Sequence, residues 1–369
     1  MTARTIEPSD PSNPPEPSST PPGQTEVSRL RLLRWFAVPL LAIGGAASGW
    51  VAWQHALNRP GPLTEARAVV VPRASVGEVA DTLRHAGVIA AAEWFRVAVW
   101  LSRQQGPLHA AELEFPAHGS LREVLVVLRT SRPVQHHITI AEGLTGRQIA
   151  AVLDRAEAAS GKVAIPVEGD VLPQTYDYEY GTPRRVILGR ANAALERALS
   201  TAWAGRAPGL PLAGPREALI LASIVERETA RPDERAHVAA VYLNRLRLGM
   251  RLEADPTVAY AATIAEAGDT ATGVAGGAAA AGPSDHALTR HDLERDDPFN
   301  TYRHAGLPPG PICAPGLASI LAVLHPAASD DLYFVADGTG GHAFARTLEA
   351  HARNVAHWRA LSTPRGSPD

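Results

Sequence analysis

Two glutamates at the end of an apolar run are the residues best suited to acid–base chemistry. LILASIV, residues 219–225, leads directly into Glu226-Arg227-Glu228-Thr229. A run of that composition usually fills a core, and a core helix rarely admits a carboxylate. Residues two apart on a helix point in nearly opposite directions, so Glu226 and Glu228 cannot share a face. Glu228 stacks over Leu221, Ile224 and Val225, whereas Glu226 stacks over Leu219, Ala222 and Ser223, a smaller and partly polar set. Desolvation disfavours the charged form of a carboxyl group, so Glu228 is the better proton donor. The plainer reading is a pair of solvated residues near a helix end, since Pro232 stops the helix soon afterwards.

The elements that must position these acids follow in the chain. Asp233 is an N-cap for a helix over 234–248 that ends at Gly249, with Val238, Val241, Tyr242 and Leu246 as its buried stripe and Asn244 and Arg245 to its sides. Asp255-Pro256 opens another helix, so Asp255 is either a cap or a substrate ligand. Residues 261–283 are rich in Ala, Gly and Thr and read as a flexible insertion. Asn300-Thr301-Tyr302 and Gly306-Leu307-Pro308-Pro309-Gly310 form a rigid loop whose amide and aromatic side chains suit sugar hydroxyls and apolar sugar faces. Residues 332–336 and 342–345 read as a hairpin, where His342 is either a satisfied strand residue or part of a cleft. Its turn, Asp337-Gly338-Thr339-Gly340-Gly341, lacks the strand-to-helix setting of a phosphate loop. Helices over 184–204 and 349–361 pack around this centre.

Upstream, residues 1–25 are rich in Pro and Ser with few large apolar side chains, the composition of a disordered tail. Arg29, Arg31 and Arg34 precede WFAVPLLAIGGAASGWVAW, residues 35–53, which carry no charge and have tryptophans at both ends. That pattern predicts a single uncleaved transmembrane helix over 35–53 after a cytoplasmic tail over 1–34, with the remainder of the chain on the far side of the inner membrane. Residues 67–160 then read as a small α+β module: a strand over 68–72, helices over 76–86 and 91–104, a short strand over 113–115, a helix over 121–130 capped by Ser120, a strand over 136–141 and a helix over 146–158. Residues 161–361 form the second α+β domain. With 369 residues the chain has room for about two domains. The net charge of −3 gives no electrostatic reason for nucleic-acid binding, and Cys313, the only cysteine, rules out an internal disulfide. No HExxH or similar histidine spacing points to a metal.

The ordered series ASIVERET, VAAVYLNRLRLGMRLEADPTVAY, FNTYRHAGLPPGPI and LYFVADGTGGHAF resembles the MltG-type (YceG-like) endolytic murein transglycosylases, from about Val69 to about Trp358. The resemblance implies a LysM-like substrate-positioning module over 67–160 and a lysozyme-like, YceG-type α+β catalytic domain over 161–361. It implies cleavage of the MurNAc-GlcNAc β-1,4 bond of peptidoglycan glycan strands without water, leaving a 1,6-anhydro end, with no cofactor and with peptidoglycan synthases as partners. Glu228-Thr229 resembles the Glu-Ser pair of goose-type lysozyme-like transglycosylases, which implies Glu228 as the catalytic acid. Substrate binding is implied for Glu226, Asn244, Arg245, Asp255 and Thr257, and further for Asn300, Thr301, Tyr302, His342 and, in the element EGDVLPQTY, Tyr176. Glu253 departs from the family, which usually has Gln there. The rivals are a hydrolytic muramidase, with Asp255 or Glu226 activating water, and a membrane-tethered glycan-binding scaffold.

Overall fold

The computed structural model describes residues 26–269 and 288–362, with side chains described over 41–265 and 288–361. In chain order the elements are α1 (Glu26–Asn58), β1 (Arg67–Val70), α2 (Val76–His85), α3 (Ala92–Leu101), a 3₁₀ turn (Arg103–Gln105), β2 (Glu112–Phe115), α4 (Leu121–Thr130), β3 (Gln135–Thr139), α5 (Gly146–Asp154) and β4 (Thr175–Glu179). There follow α6 (Arg184–Ala204), α7 (Pro215–Glu228), α8 (Arg235–Arg247), α9 (Asp255–Asp269), α10 (Arg290–Glu294), α11 (Leu317–Leu324), β5 (Tyr333–Ala336), β6 (His342–Ala345) and α12 (Leu348–Ser362). The architecture is α+β. The chain divides into two compact units, one of residues 1–67, 74–108 and 115–130, the other of residues 68–73, 109–114 and 131–369.

The expected membrane span must be corrected. Residues 35–53 lie within α1, but no helix among the described residues is long and apolar enough to cross a membrane. The physical reason is visible in Gly44-Gly45-Ala46-Ala47-Ser48-Gly49: the middle of the uncharged run carries very little hydrocarbon. Absence of charge is a weaker condition than apolarity. Of the expected tail, residues 1–25 lie outside the described residues, and Glu26 onward is helical.

The first unit gathers α1 through α4. Its helices are set by local chemistry: Ser75 caps α2 in a reciprocal capping box with Glu78, and Ser120 and Glu123 bond in the same way at the start of α4. Arg129, at the end of α4, donates to the carbonyls of Gly106 and Ser102 and fixes the turn after α3.

The second unit holds two adjoining apolar clusters. One is built on β3, β4, α5 and the start of α6, with Ile138, Ile149, Leu153, Tyr176, Tyr178 and Ile187 buried in it. β3 pairs antiparallel with β4, Ile138 opposite Tyr176. Arg184, the first residue of α6, donates to the carbonyls of Leu153, Gly161, Asp154 and Ala156, so one guanidinium satisfies the chain leaving α5. The other cluster surrounds α7. Residues 218–225 of that helix are all buried, against Tyr242, Leu243, Ile320 and Val323 among others.

Two sequence expectations change in detail. Asp233 does not cap α8, because the Arg231 guanidinium takes its carboxylate (2.7 Å), and the cap position falls on Glu234. The expected insertion begins later than composition suggests: α9 continues to Asp269 with Ala261 and Ala262 buried. Helix propensity of alanine and burial of its small side chain favour the helix there. Residues 270–287 lie outside the described residues.

Candidate active site

α7 begins with Pro215 in its first turn and Glu217 beside it, both favourable at a helix start, and then buries eight consecutive residues. Ser223 lets a polar strand of loop cross this apolar helix: its hydroxyl donates to Ile220 O (2.7 Å) and accepts from Ile312 N (3.0 Å). The helix ends at Glu228, because Thr229 is extended. Both glutamates therefore emerge from the core at the last turn.

Their surroundings differ sharply. Glu226 is tied on both oxygens: Oε2 accepts from Gly316 N (2.9 Å), the cap residue of α11, and Oε1 accepts from Arg235 (3.4 Å). Glu142 lies 3.8 Å from the same guanidinium nitrogen, with its carboxyl raised by partial burial and by the charge of Glu226. A Cβ on Gly316 would meet the Glu142 carboxylate, so a side chain there would displace Glu142.

Glu228 is tied more lightly, by a bond from the Tyr242 hydroxyl. Its Oε2 is enclosed and has no hydrogen-bond partner within the described protein, although the residue as a whole is partly exposed. Burial, and secondly the charge of Asp255, push its carboxyl up to about 8, held back by the Tyr242 hydroxyl and by Arg245. At neutral pH the group is mainly a carboxylic acid.

The other residues singled out in the sequence fall into two groups. Asp255 and Tyr302 stand near Glu228, joined by a bond of 2.6 Å from the Tyr302 hydroxyl to Asp255 Oδ1. The remainder use their polar atoms within the protein. Asn244 donates to Ser329 O and Asp331 O, Arg245 to Leu332 O, Arg251 O, Leu252 O and Glu253, and Asn300 to the carbonyls of Asp292, Leu293 and Arg295. Thr257 and Thr301 share a buried hydroxyl pair at 2.9 Å. His342 Nδ1 is 2.6 Å from Glu234, on the strand that pairs Ala336 with it. Tyr176 is a core residue whose hydroxyl donates to Leu172 O (2.6 Å).

Sequence reasoning missed Tyr242 as a site residue and placed it only in a buried stripe; nothing in spacing distinguishes a core tyrosine from one that touches an acid. It also missed Glu168. That carboxyl accepts from Gly146 N (2.9 Å) and bonds the Tyr260 hydroxyl, and burial pushes it up to about 7. Glu168 and Glu228 both bind a proton more tightly folded than at their ordinary value of 4.5. Between about pH 4.5 and 8 the native state therefore holds more protons than the unfolded chain, and stability must fall as pH rises through that window. Melting temperatures measured across it should decline, and Glu168→Gln should flatten the part of the decline below about pH 7.

A buried carboxyl at the end of a core helix, pushed up towards neutral pH and with Asp255 beside it, has the chemistry that general acid catalysis uses. The chain belongs to the YceG-like family, whose sequence model matches residues 69–357. It is 38% identical over 133 residues to an endolytic murein transglycosylase of Bacillus subtilis, a match covering 36% of this chain and 32% of that protein. It is 32% identical over 197 residues to an endolytic murein transglycosylase of Streptococcus pneumoniae, covering 52% of this chain and 32% of that protein. The matched region thus spans about a third of the length of these curated relatives. A crystal structure of a yceG-like protein from Listeria monocytogenes aligns with 78% of this chain and 98% of its own, at 26% identity and a TM-score of 0.44.

Proposed function

We propose that this chain is an endolytic murein transglycosylase that cuts peptidoglycan glycan strands with Glu228 as its acid and base. The observation that carries this reading is the setting of Glu228: a carboxyl at the end of the buried helix α7, pushed up to about 8 by burial, beside Tyr242, Arg245 and Asp255. Its proton goes to the departing glycosidic oxygen. The resulting carboxylate then takes the proton of the MurNAc 6-hydroxyl as that oxygen bonds to C1, closing a 1,6-anhydro ring. One group serves both steps, so no second carboxylate has to activate water. Residues 67–160, whose chain order is β1–α2–α3–β2–α4–β3–α5, are proposed as a LysM-like substrate-positioning module on the family resemblance. The proposed substrate lies in the cell wall, and the activity belongs there.

A hydrolytic muramidase would need Asp255 or Glu226 free to activate water. Asp255 is bonded by Tyr302, and Glu226 by Gly316 and Arg235, which favours the transglycosylase. The test is incubation of purified sacculi with the whole chain and analysis of what enters solution. Released muropeptides are expected; binding without release would replace the enzyme with a glycan-binding scaffold. The rate has a predicted pH dependence too. kcat/KM should hold through neutral pH and fall about tenfold per unit above about pH 8, as Glu228 loses the proton it must donate.

A further inference from the structure

Asn300-Thr301-Tyr302 has the composition of a sugar-binding turn, but its polar atoms are already committed. Thr301 Oγ1 accepts from Ala254 N (3.0 Å) and meets Thr257 Oγ1 at 2.9 Å, while Thr257 Oγ1 donates to Ala254 O (2.7 Å). The Thr301 carbonyl accepts from Glu253 N (3.3 Å). Asn300 spends its amide on three carbonyls and accepts from Tyr302 N through Oδ1 (3.0 Å). Asn300, Thr301 and Thr257 are at most 1% exposed, beyond the reach of a glycan. These bonds fasten the turn to the residues that open α9, and the one polar group the turn extends outward is the Tyr302 hydroxyl, which donates to Asp255.

We infer that this turn is a clamp that presents Asp255 as a fixed negative charge to Glu228, with Tyr302 as a positioning residue in place of a sugar ligand. The inference rests on Glu228 being the acid of the proposed reaction. A carboxylate that accepts a hydrogen bond from a fixed side chain is held in one orientation. Asp255 is also the first residue of α9, where the helix dipole favours negative charge. Left alone, an exposed aspartate would turn freely in water; the Tyr302 bond fixes its carboxylate in one place on the element that packs against α7. Glu228 also faces Arg245 and Tyr242 from α8, which act in the opposite direction, and Glu253 acts on Tyr302. Burial remains the larger cause of the Glu228 shift, so the clamp adjusts the acid and does not create it.

The experiment is a carbon-13 NMR titration of the Glu228 side-chain carboxyl in the full chain, wild type against Asp255→Asn and Tyr302→Phe, with Glu228→Gln identifying the signal. Asn keeps the size of Asp255 and Phe keeps the ring of Tyr302, so both variants are expected to fold. The Glu228 midpoint should drop by about half to one unit in Asp255→Asn. It should drop by less in Tyr302→Phe. The alkaline limb of kcat/KM on sacculi should follow, a loss of up to about tenfold above the midpoint. Unmoved midpoints in both variants would overturn the inference, as would a raised KM with an unmoved limb, the signature of a lost sugar contact. A drop in Asp255→Asn alone would remove Tyr302 from the account. If the midpoints move as expected while Glu228→Gln still cuts sacculi, the clamp stands and the catalytic assignment of Glu228 falls.

Discussion

Glu228→Gln is expected to abolish glycan-strand cleavage, lowering the rate by at least about 10²–10⁴-fold, the usual contribution of general acid–base assistance. Gln keeps the volume of the side chain over Leu221, Ile224 and Val225, so the packing of α7 should be undisturbed. It cannot hand a proton to the leaving oxygen, nor take one back from the 6-hydroxyl, and both steps are lost together. Circular dichroism and binding to sacculi should match the wild type. Glu226→Gln should behave differently. The amide oxygen of Gln can still accept from Gly316 N, and the chief loss is the charge facing Arg235. Its activity should fall much less, and an inactive Glu226→Gln beside an active Glu228→Gln would exchange the two roles.

Arg245→Met is expected to give the largest loss of stability in the second unit. Arg245 is 8% exposed, and its guanidinium donates to Leu332 O (2.7 Å) and Leu252 O (2.8 Å), with Cζ 5.2 Å from the Tyr333 ring centre. Met retains the packing of the stem but leaves these carbonyls without their donor, at about 1–3 kcal/mol each. Urea unfolding should show a lower midpoint with an unchanged slope. Removing the positive charge should also raise the Glu228 carboxyl further, since Arg245 holds it down. The alkaline limb of the rate profile in this variant should move to higher pH.

Local chemistry that repeats with the helical or strand period is legible in the sequence itself. The apolar run before Glu226, the Ser120 cap of α4 and the alternation of β3 all carry their own signal. The membrane span fails because absence of charge does not amount to apolarity in a stretch whose middle, residues 44–49, is only Gly, Ala and Ser. At the site, sequence identifies residue types and not their partners. Asn244, Arg245, Asn300 and Thr301 have the chemistry of sugar ligands, and a chain pattern cannot show that backbone carbonyls 5 to 87 residues away already occupy residues such as Asn300 and Arg245. The contrast between Glu226 and Glu228 is legible in part, since helical stacking separates their faces. Gly316 and Arg235 complete it, and both arrive from other elements of the chain.

The central claim, that Glu228 closes a ring on the substrate and activates no water, is tested most directly by digesting sacculi in water enriched in oxygen-18 and weighing the muropeptides. The account predicts 1,6-anhydro ends, lighter by one water than reducing ends and free of the heavy isotope. Reducing ends carrying oxygen-18 at C1 would contradict it and make the enzyme a hydrolase.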